Sequence, residues 1–281
     1  MKRFFDDGRN EGNMVGTGYD QNTILQAVHT KWAGNTVHFV NETDSTNNWV
    51  RTLAAEGAPH GTLAVTESQT AGKGRLGRNW KTEEGSAVTM TLLLRPDFAP
   101  EYAPTLTLVM GLSVGQAVEQ MGIAASIKWP NDVVVSRKKI CGILTEMALE
   151  GSAVRYVAIG VGINVNTEAF GEEIQDKATS LYLETGRTYD RNRIIGLVME
   201  RFEKNYEKFV QTCSMKPLLE AYNALLANRE QPVRVLDARA PFEGTAHGIN
   251  EKGELLVEKE NGEMVCVLAG EVSVRGLYSY V

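Results

Sequence analysis

Between Ile127 and Ile159 four short β-type runs follow one another with no helical pattern between them: Ile127-Lys128-Trp129, Val133-Val134-Val135, Ile143-Leu144 and Val157-Ala158-Ile159. With Leu63-Ala64-Val65 and the apolar run Val88–Leu94 upstream, this order favours a mixed or mostly antiparallel sheet with helices on one face over a doubly wound parallel fold. Helices are expected over Asn22–Lys31, from an N-cap at Ser45 to about Glu56, over Thr105–Gln120, and over Arg191–Gln211 and Lys216–Asn228. The pattern then changes to closely spaced strands at Pro232–Asp237, Phe242–His247, Leu255–Glu260 and Met264–Leu268, with Asn261-Gly262 as a type I′ hairpin signal. These shifts divide the chain into an N-terminal arm (1–20), a large α+β domain (21–228) and a small β-barrel (229–281).

Within that frame the residues with the clearest chemistry are Gly72-Lys73-Gly74-Arg75-Leu76-Gly77-Arg78-Asn79-Trp80. Glycines let backbone N–H groups converge on an anion, and Lys73, Arg75 and Arg78 add charge-assisted donors, so the loop reads as a phosphate or carboxylate clamp. It is not a dinucleotide fingerprint, because the glycine spacing after a strand in a βαβ unit is absent.

The loop closely resembles the Gly-Arg-Gly-Arg-x-Gly-Arg-x-Trp signature of biotin protein ligases. Lys128-Trp129-Pro130-Asn131-Asp132, Gly142-Ile143-Leu144-Thr145-Glu146, Gly160-Val161-Gly162-Ile163-Asn164 and Asp44-Ser45-Thr46-Asn47 are similar to further elements of that family, in its order, and Gly270-Glu271-Val272-Ser273-Val274-Arg275 matches its tail more weakly. Lys73 departs from the family's commoner arginine, keeping charge but losing the bidentate fork. The resemblance implies a class II aminoacyl-tRNA synthetase-like domain followed by an SH3-like barrel. It also implies a reaction in which biotin and ATP form biotinyl-5′-adenylate, and biotin then passes to a lysine of a biotin carboxyl carrier domain.

That chemistry needs no protein nucleophile; it needs two anions held together and an anhydride kept from water. The resemblance gives Lys128 the central electrostatic role, projected from a strand end that Pro130 keeps extended, with Arg75 beside it. Ser45, Thr46, Asn47 and Gln69 would satisfy a ureido ring, with Gly72, Lys73, Gly74, Gly142, Gly160 and Gly162 completing the biotin site. Arg75, Arg78, Trp80 (stacked on adenine), Asn131, Lys139, Asn164, Glu271 and Arg275 would contact ATP, with Lys138 competing with Lys139 by adjacency and a solvated cation pair as the plain reading of the two. Mg²⁺ would ride on the phosphates without a carboxylate cage. A lipoate or octanoate ligase of the related fold, and a non-catalytic biotin sensor, are the alternatives.

A net charge of −6 argues against a general polyanion binder, and the 43 residues before Asp44 leave little for a separate DNA-binding domain, so no specific DNA is expected. Tyr102–Val118 is uncharged but polar and short, which favours a core helix over a membrane span. Cys141, Cys213 and Cys266 lack zinc or disulfide spacing, which suits a reducing cytoplasm, and a homodimer is left open.

Overall fold

The computed structural model describes residues 18–77, 80, 82–236, 240–269, 273–276 and 280–281, with backbone alone at Leu76 and Ser273. Seven strands share one sheet: β1 (Thr36–Thr43), β2 (Thr62–Gln69), β3 (Ala87–Leu94), β4 (Ser126–Lys128), β5 (Asp132–Val135), β6 (Lys138–Glu150) and β7 (Ala153–Asn164). Their spatial order is β1-β2-β3-β7-β6-β5-β4. Only β1 and β2 pair in parallel; the other neighbours are antiparallel, as the run of strands without helices implied.

The helices are α1 (Gln21–Ala27), α2 (Thr46–Ala55), α3 (Leu106–Gln120), α4 (Leu181–Thr185), α5 (Arg191–Val210) and α6 (Leu219–Leu225). Ile24, the apolar residues of α3 and Ile194, Val198 and Phe202 of α5 form a core with Leu63, Val65, Met90 and Leu92 on one sheet face. The expectation that all helices lie on that face is corrected. Val50, Leu53 and Ala54 of α2 pack against Ala64, Leu93, Tyr156 and Ala158 on the opposite face. The reason is topological: a parallel β1–β2 pair needs a crossover, and α2 supplies it. Its ten residues shield only part of that face, and the candidate site occupies the glycine-lined region beyond them.

Five further antiparallel strands, β8 (Gln231–Leu236), β9 (Phe242–Ile249), β10 (Leu255–Glu258), β11 (Met264–Val267) and β12 (Ser273–Gly276), form a second sheet in the order β11-β10-β9-β8-β12. Val233, Val235, Ala246, Leu255, Val257 and Val274 are continuous with the main core. The fully buried Trp129 also joins the two sheets, donating from Nε1 to the Gly253 carbonyl at 3.1 Å.

Five local expectations change. Residues 1–17 of the proposed arm lie outside the described residues, but its end is docked: Tyr19 meets Phe39 edge-on and the Arg191 guanidinium at 3.6 Å, and Asp20 caps α1. Helix Asn22–Lys31 ends early, at Ala27, and Lys216–Asn228 is a 3₁₀ turn (Lys216–Leu218) followed by α6. Ser45 occupies the N-cap position of α2 without a capping side-chain hydrogen bond. At the β10–β11 hairpin Gly262 has φ +80 whereas Asn261 is not left-handed, and the Gly262 N–H bonds the Lys259 carbonyl, so this is a longer loop closed by a left-handed glycine. The turn with two left-handed central residues, as type I′ requires, joins β5 to β6 through Ser136 (φ 48) and Arg137 (φ 66). The Ser136 hydroxyl bonds Glu184, and Arg137 donates to the Val281 carbonyl.

Candidate active site

Sheet register explains why motifs far apart in sequence meet. Across five strands, Thr89 on β3 faces Gly162 on β7, Gly162 faces Gly142 on β6, Gly142 faces Asp132 on β5, and Asp132 faces Lys128 on β4. The next row is Thr91–Gly160–Leu144. Directly opposed residues share a face, so three glycines clear a trough on the side that carries α2, with threonines at one end and a carboxylate and an ammonium at the other.

Side chains from other elements lie in the trough. A Cβ on Gly160 would overlap the Asn47 carboxamide, and one on Gly162 would come within 2.5 Å of Trp80 Cζ2. The trough bottom is therefore a recess of about 50 Å³, lined also by Ser45, Thr46 and Gln69. That is room for about two water molecules at liquid density. It opens beside Lys73, Arg75 and Asn131 into a cavity of about 690 Å³. The indole Nε1 of Trp80 is buried with no hydrogen-bond partner among the described residues.

The polar end is built by the start of α2. Asn47 Nδ2 donates to Glu146 Oε2 at 2.7 Å, Asn47 Oδ1 accepts from Thr91 Oγ1 at 2.7 Å, and Gln69 Oε1 accepts from the Thr46 N–H at 2.8 Å. Ser45, Thr46, Asn47 and Thr91 are all buried. Thr91 and Glu146 were missed as site residues. The one sequence hint is that Thr89 and Thr91 alternate with Val88 and Met90, which marks a polar face on an otherwise apolar strand.

The loop after β2 forms the mouth. A Cβ on Gly72 would overlap the Trp80 carbonyl and lie 2.7 Å from Gln69 Nε2, which explains glycine there. The Gly72 carbonyl accepts from the Trp80 N–H at 2.9 Å and so closes the loop on itself. Lys73 Nζ donates to Asn48 Oδ1 at 2.7 Å, and Arg75 Nη1 donates to Asn131 Oδ1 at 2.8 Å, bridging the loop to the β4–β5 turn. Gly74 lines both cavities.

Other expected site residues sit differently. Lys128 is buried and lines neither cavity; its ammonium lies 3.3 Å from the centroid of the Tyr280 ring. Lys139, from the next strand pair, does line the recess, its Nζ reaching over Gly142 to bond Asp132 Oδ1 at 2.6 Å. Burial pushes the Asp132 carboxyl up, but the charge and hydrogen bond of Lys139, the Tyr280 hydroxyl and the Lys128 charge outweigh it and hold the acid below the usual carboxylate range. Asn164 lines neither cavity and donates to the Thr179 carbonyl. Arg275 lies 5.9 Å from the Tyr280 ring. Arg78 and Glu271 lie outside the described residues.

Residues 39–164 match the model of the biotin/lipoate A/B protein ligase family, and residues 230–275 match the biotin protein ligase C terminal domain. The chain is 32% identical to the biotin–[acetyl-CoA-carboxylase] ligase of Paracoccus denitrificans, over 83% of this chain and 98% of that one. It belongs to the biotin protein ligase family. The bifunctional ligase/repressor BirA of Bacillus subtilis is 38% identical over 86% of this ligase and 75% of its own length. The solved structure of the Aquifex aeolicus biotin protein ligase in complex with biotin and ATP superposes with a TM-score of 0.76 at 35% identity, covering 86% of this ligase and 99% of that chain. The two family matches fall on the two sheets, and the first spans every strand and loop that builds the trough.

Proposed function

We propose that this ligase joins biotin to ATP as biotinyl-5′-adenylate and then transfers biotin to a lysine of a biotin carboxyl carrier domain. The observation that carries this reading is the glycine-cleared trough, with neutral hydrogen-bonding groups at one end and cations at the other. A fused bicyclic ring would lie on Gly142, Gly160 and Gly162, its ureido group meeting Asn47, Thr46, Ser45 and Gln69. Its carboxylate would point to Lys139 and Arg75.

In the first step the biotin carboxylate oxygen attacks the α-phosphorus of ATP, and pyrophosphate leaves. Lys139 is our choice for the ammonium that holds carboxylate and α-phosphate together, in place of Lys128, because Lys139 faces the recess. Arg75, with Lys73 and Arg78, would stabilise the developing phosphate charge. Asp132 keeps Lys139 extended across Gly142. In the second step the carrier lysine amine attacks the anhydride carbonyl, AMP leaves, and the amine's proton is lost to solvent. The chain's own contribution is to orient the reactants and exclude water.

Trp80 holds the place on Gly142 and Gly162 that the ring of biotin would take, so we infer that it moves on binding and then stacks on adenine. Asn131, Asn164, Glu271 and Arg275 remain nucleotide-side candidates. Among the described residues no three His, Cys, Asp or Glu side chains gather into a metal site, and Asp132 is committed to Lys139 and Tyr280. Mg²⁺ would arrive on the nucleotide, held by phosphate oxygens. In family terms the seven-stranded unit would be the synthetase-like catalytic domain and the five-stranded sheet the SH3-like barrel.

The test is to mix the protein with ATP, Mg²⁺, biotin and a carrier domain and weigh the carrier. A gain of one biotinyl group is expected, and an unchanged mass with a folded ligase would refute the transfer.

A further inference from the structure

Tyr280 lies at the cationic end of the trough. Its hydroxyl donates to Asp132 Oδ2 at 2.5 Å while Lys139 Nζ holds Asp132 Oδ1 at 2.6 Å, so one buried carboxylate is gripped from both sides. The same ring covers the Lys128 ammonium at 3.3 Å and has the Arg275 guanidinium 5.9 Å away. Arg137 donates to the Val281 carbonyl, next to Tyr280, at 2.9 Å. Arg137 belongs to the β5–β6 turn, two residues before Lys139, so Val281 and its neighbour Tyr280 are tied to the hairpin that carries the lysine on one strand and Asp132 on the other.

A carboxylate with a single cationic partner can rotate about its terminal torsion, and the partner's long side chain follows it. A second charge-assisted hydrogen bond removes that freedom. Here the second bond comes from Tyr280. The Lys128 ammonium, one strand further along the row, neutralises the same buried cluster without reaching the cavity.

We propose that Tyr280 is a positioning residue for adenylate formation: through Asp132 it fixes the Lys139 ammonium over Gly142, so that a residue from beyond the second sheet completes the site built by the first. This rests on the functional reading above. Lys128 then has a structural part, as the cation that seats the Tyr280 ring.

The test uses the full chain with Tyr280→Phe, which keeps the ring over Lys128 and removes only the hydroxyl. Biotin-dependent pyrophosphate exchange gives kcat and KM, and calorimetry with a non-hydrolysable sulfamoyl analogue of biotinyl-adenylate gives Kd. Losing one hydrogen bond to a charged partner is expected to lower kcat about 10-fold, with KM for biotin held within about twofold and the fold retained, the melting temperature falling by only a few degrees. The analogue should bind about 10-fold more weakly in Tyr280→Phe than in wild type, yet within about twofold of the parent when Lys139→Ala is the background. A purely structural residue would weaken binding equally in both backgrounds, and that result would overturn the proposal, as would wild-type kcat in Tyr280→Phe. An inactive but folded wild type would instead overturn the functional reading and this inference with it.

Discussion

Replacing Gly160 with alanine should disable biotin binding while leaving the fold intact. Gly160 lies in β7 with no left-handed φ, so alanine suits its backbone and costs no strain. The new Cβ would overlap Asn47 Oδ1 and stand 3.1 Å from Asn47 Cγ and 3.3 Å from Nδ2. The carboxamide must retreat, and its 2.7 Å bonds to Thr91 and Glu146 then break or lengthen. Two buried hydrogen bonds of ordinary worth come to about 1–3 kcal/mol of stability. The ligand loses more, because the methyl projects into the trough while its polar partner is displaced. A loss of about 2–4 kcal/mol corresponds to roughly 30- to 1000-fold in Kd. Calorimetric titration of biotin, with thermal melting as the folding check, measures both. Gly171→Ala is the silent control, since a Cβ there meets nothing within 4 Å. Biotin binding by Gly160→Ala within about threefold of wild type would refute the placement of the ring on this glycine.

Three further outcomes are expected. Biotin should change the emission of Trp80, and Trp80→Phe should abolish that change while the signals of Trp32, Trp49 and Trp129 remain; an identical response in the variant would mean that Trp80 does not move. Arg191 pairs with Glu67 through 2.6 and 2.8 Å contacts between side chains about one-tenth exposed, so Arg191→Met should cost about 3 kcal/mol in urea unfolding at pH 7. Although burial raises the Glu67 carboxyl, the Arg191 and Gly85 hydrogen bonds hold it below the ordinary value, so this stabilisation is present above the unfolded pKa and should fade as pH falls through the folded one; a pH-independent difference would contradict the pairing. His247 lies between Glu258 at 2.8 Å and Glu230 at 3.0 Å, and the Glu258 hydrogen bond first among these raises its pKa. His247→Gln should therefore lower the melting temperature more at pH 6 than at pH 8.5, because stability from a raised pKa is lost as pH rises through it.

The sequence shows which residues matter more clearly than it shows how they are arranged. The motifs from Asp44 to Asn164 are local, and their glycines and cations can be named without a structure. The row Thr89–Gly162–Gly142–Asp132–Lys128 is set by pairings between distant strands, and no local pattern carries their register. The same limit explains the choice between Lys128 and Lys139. Both follow plausible motifs, but a register shift between Val133 and Val134 and the Ser136–Arg137 turn bring Lys139 over Gly142, while Tyr280 covers Lys128. Thr91 and Glu146 escaped notice because each looks like an ordinary strand residue until Asn47 is folded onto them. Asn261-Gly262 pointed correctly to a hairpin and wrongly to its type, since Gly262 alone takes the left-handed conformation. The second helix-bearing face followed from the one parallel strand pair, which a list of strands does not reveal.

The most direct measurement is biotin-dependent exchange of pyrophosphate into ATP, run with wild type, Lys139→Ala and Lys128→Ala and with octanoate and lipoate in place of biotin. Wild type should exchange with biotin and with neither aliphatic acid, because only the ureido ring of biotin offers donors and an acceptor to the buried polar groups at Ser45, Thr46, Asn47 and Gln69. Lys139→Ala should lose about 100- to 1000-fold in rate, and Lys128→Ala, once shown to be folded, much less. Exchange with octanoate as fast as with biotin, or a Lys139→Ala enzyme as fast as wild type, would contradict the assignment of this trough as the site where biotin is adenylated.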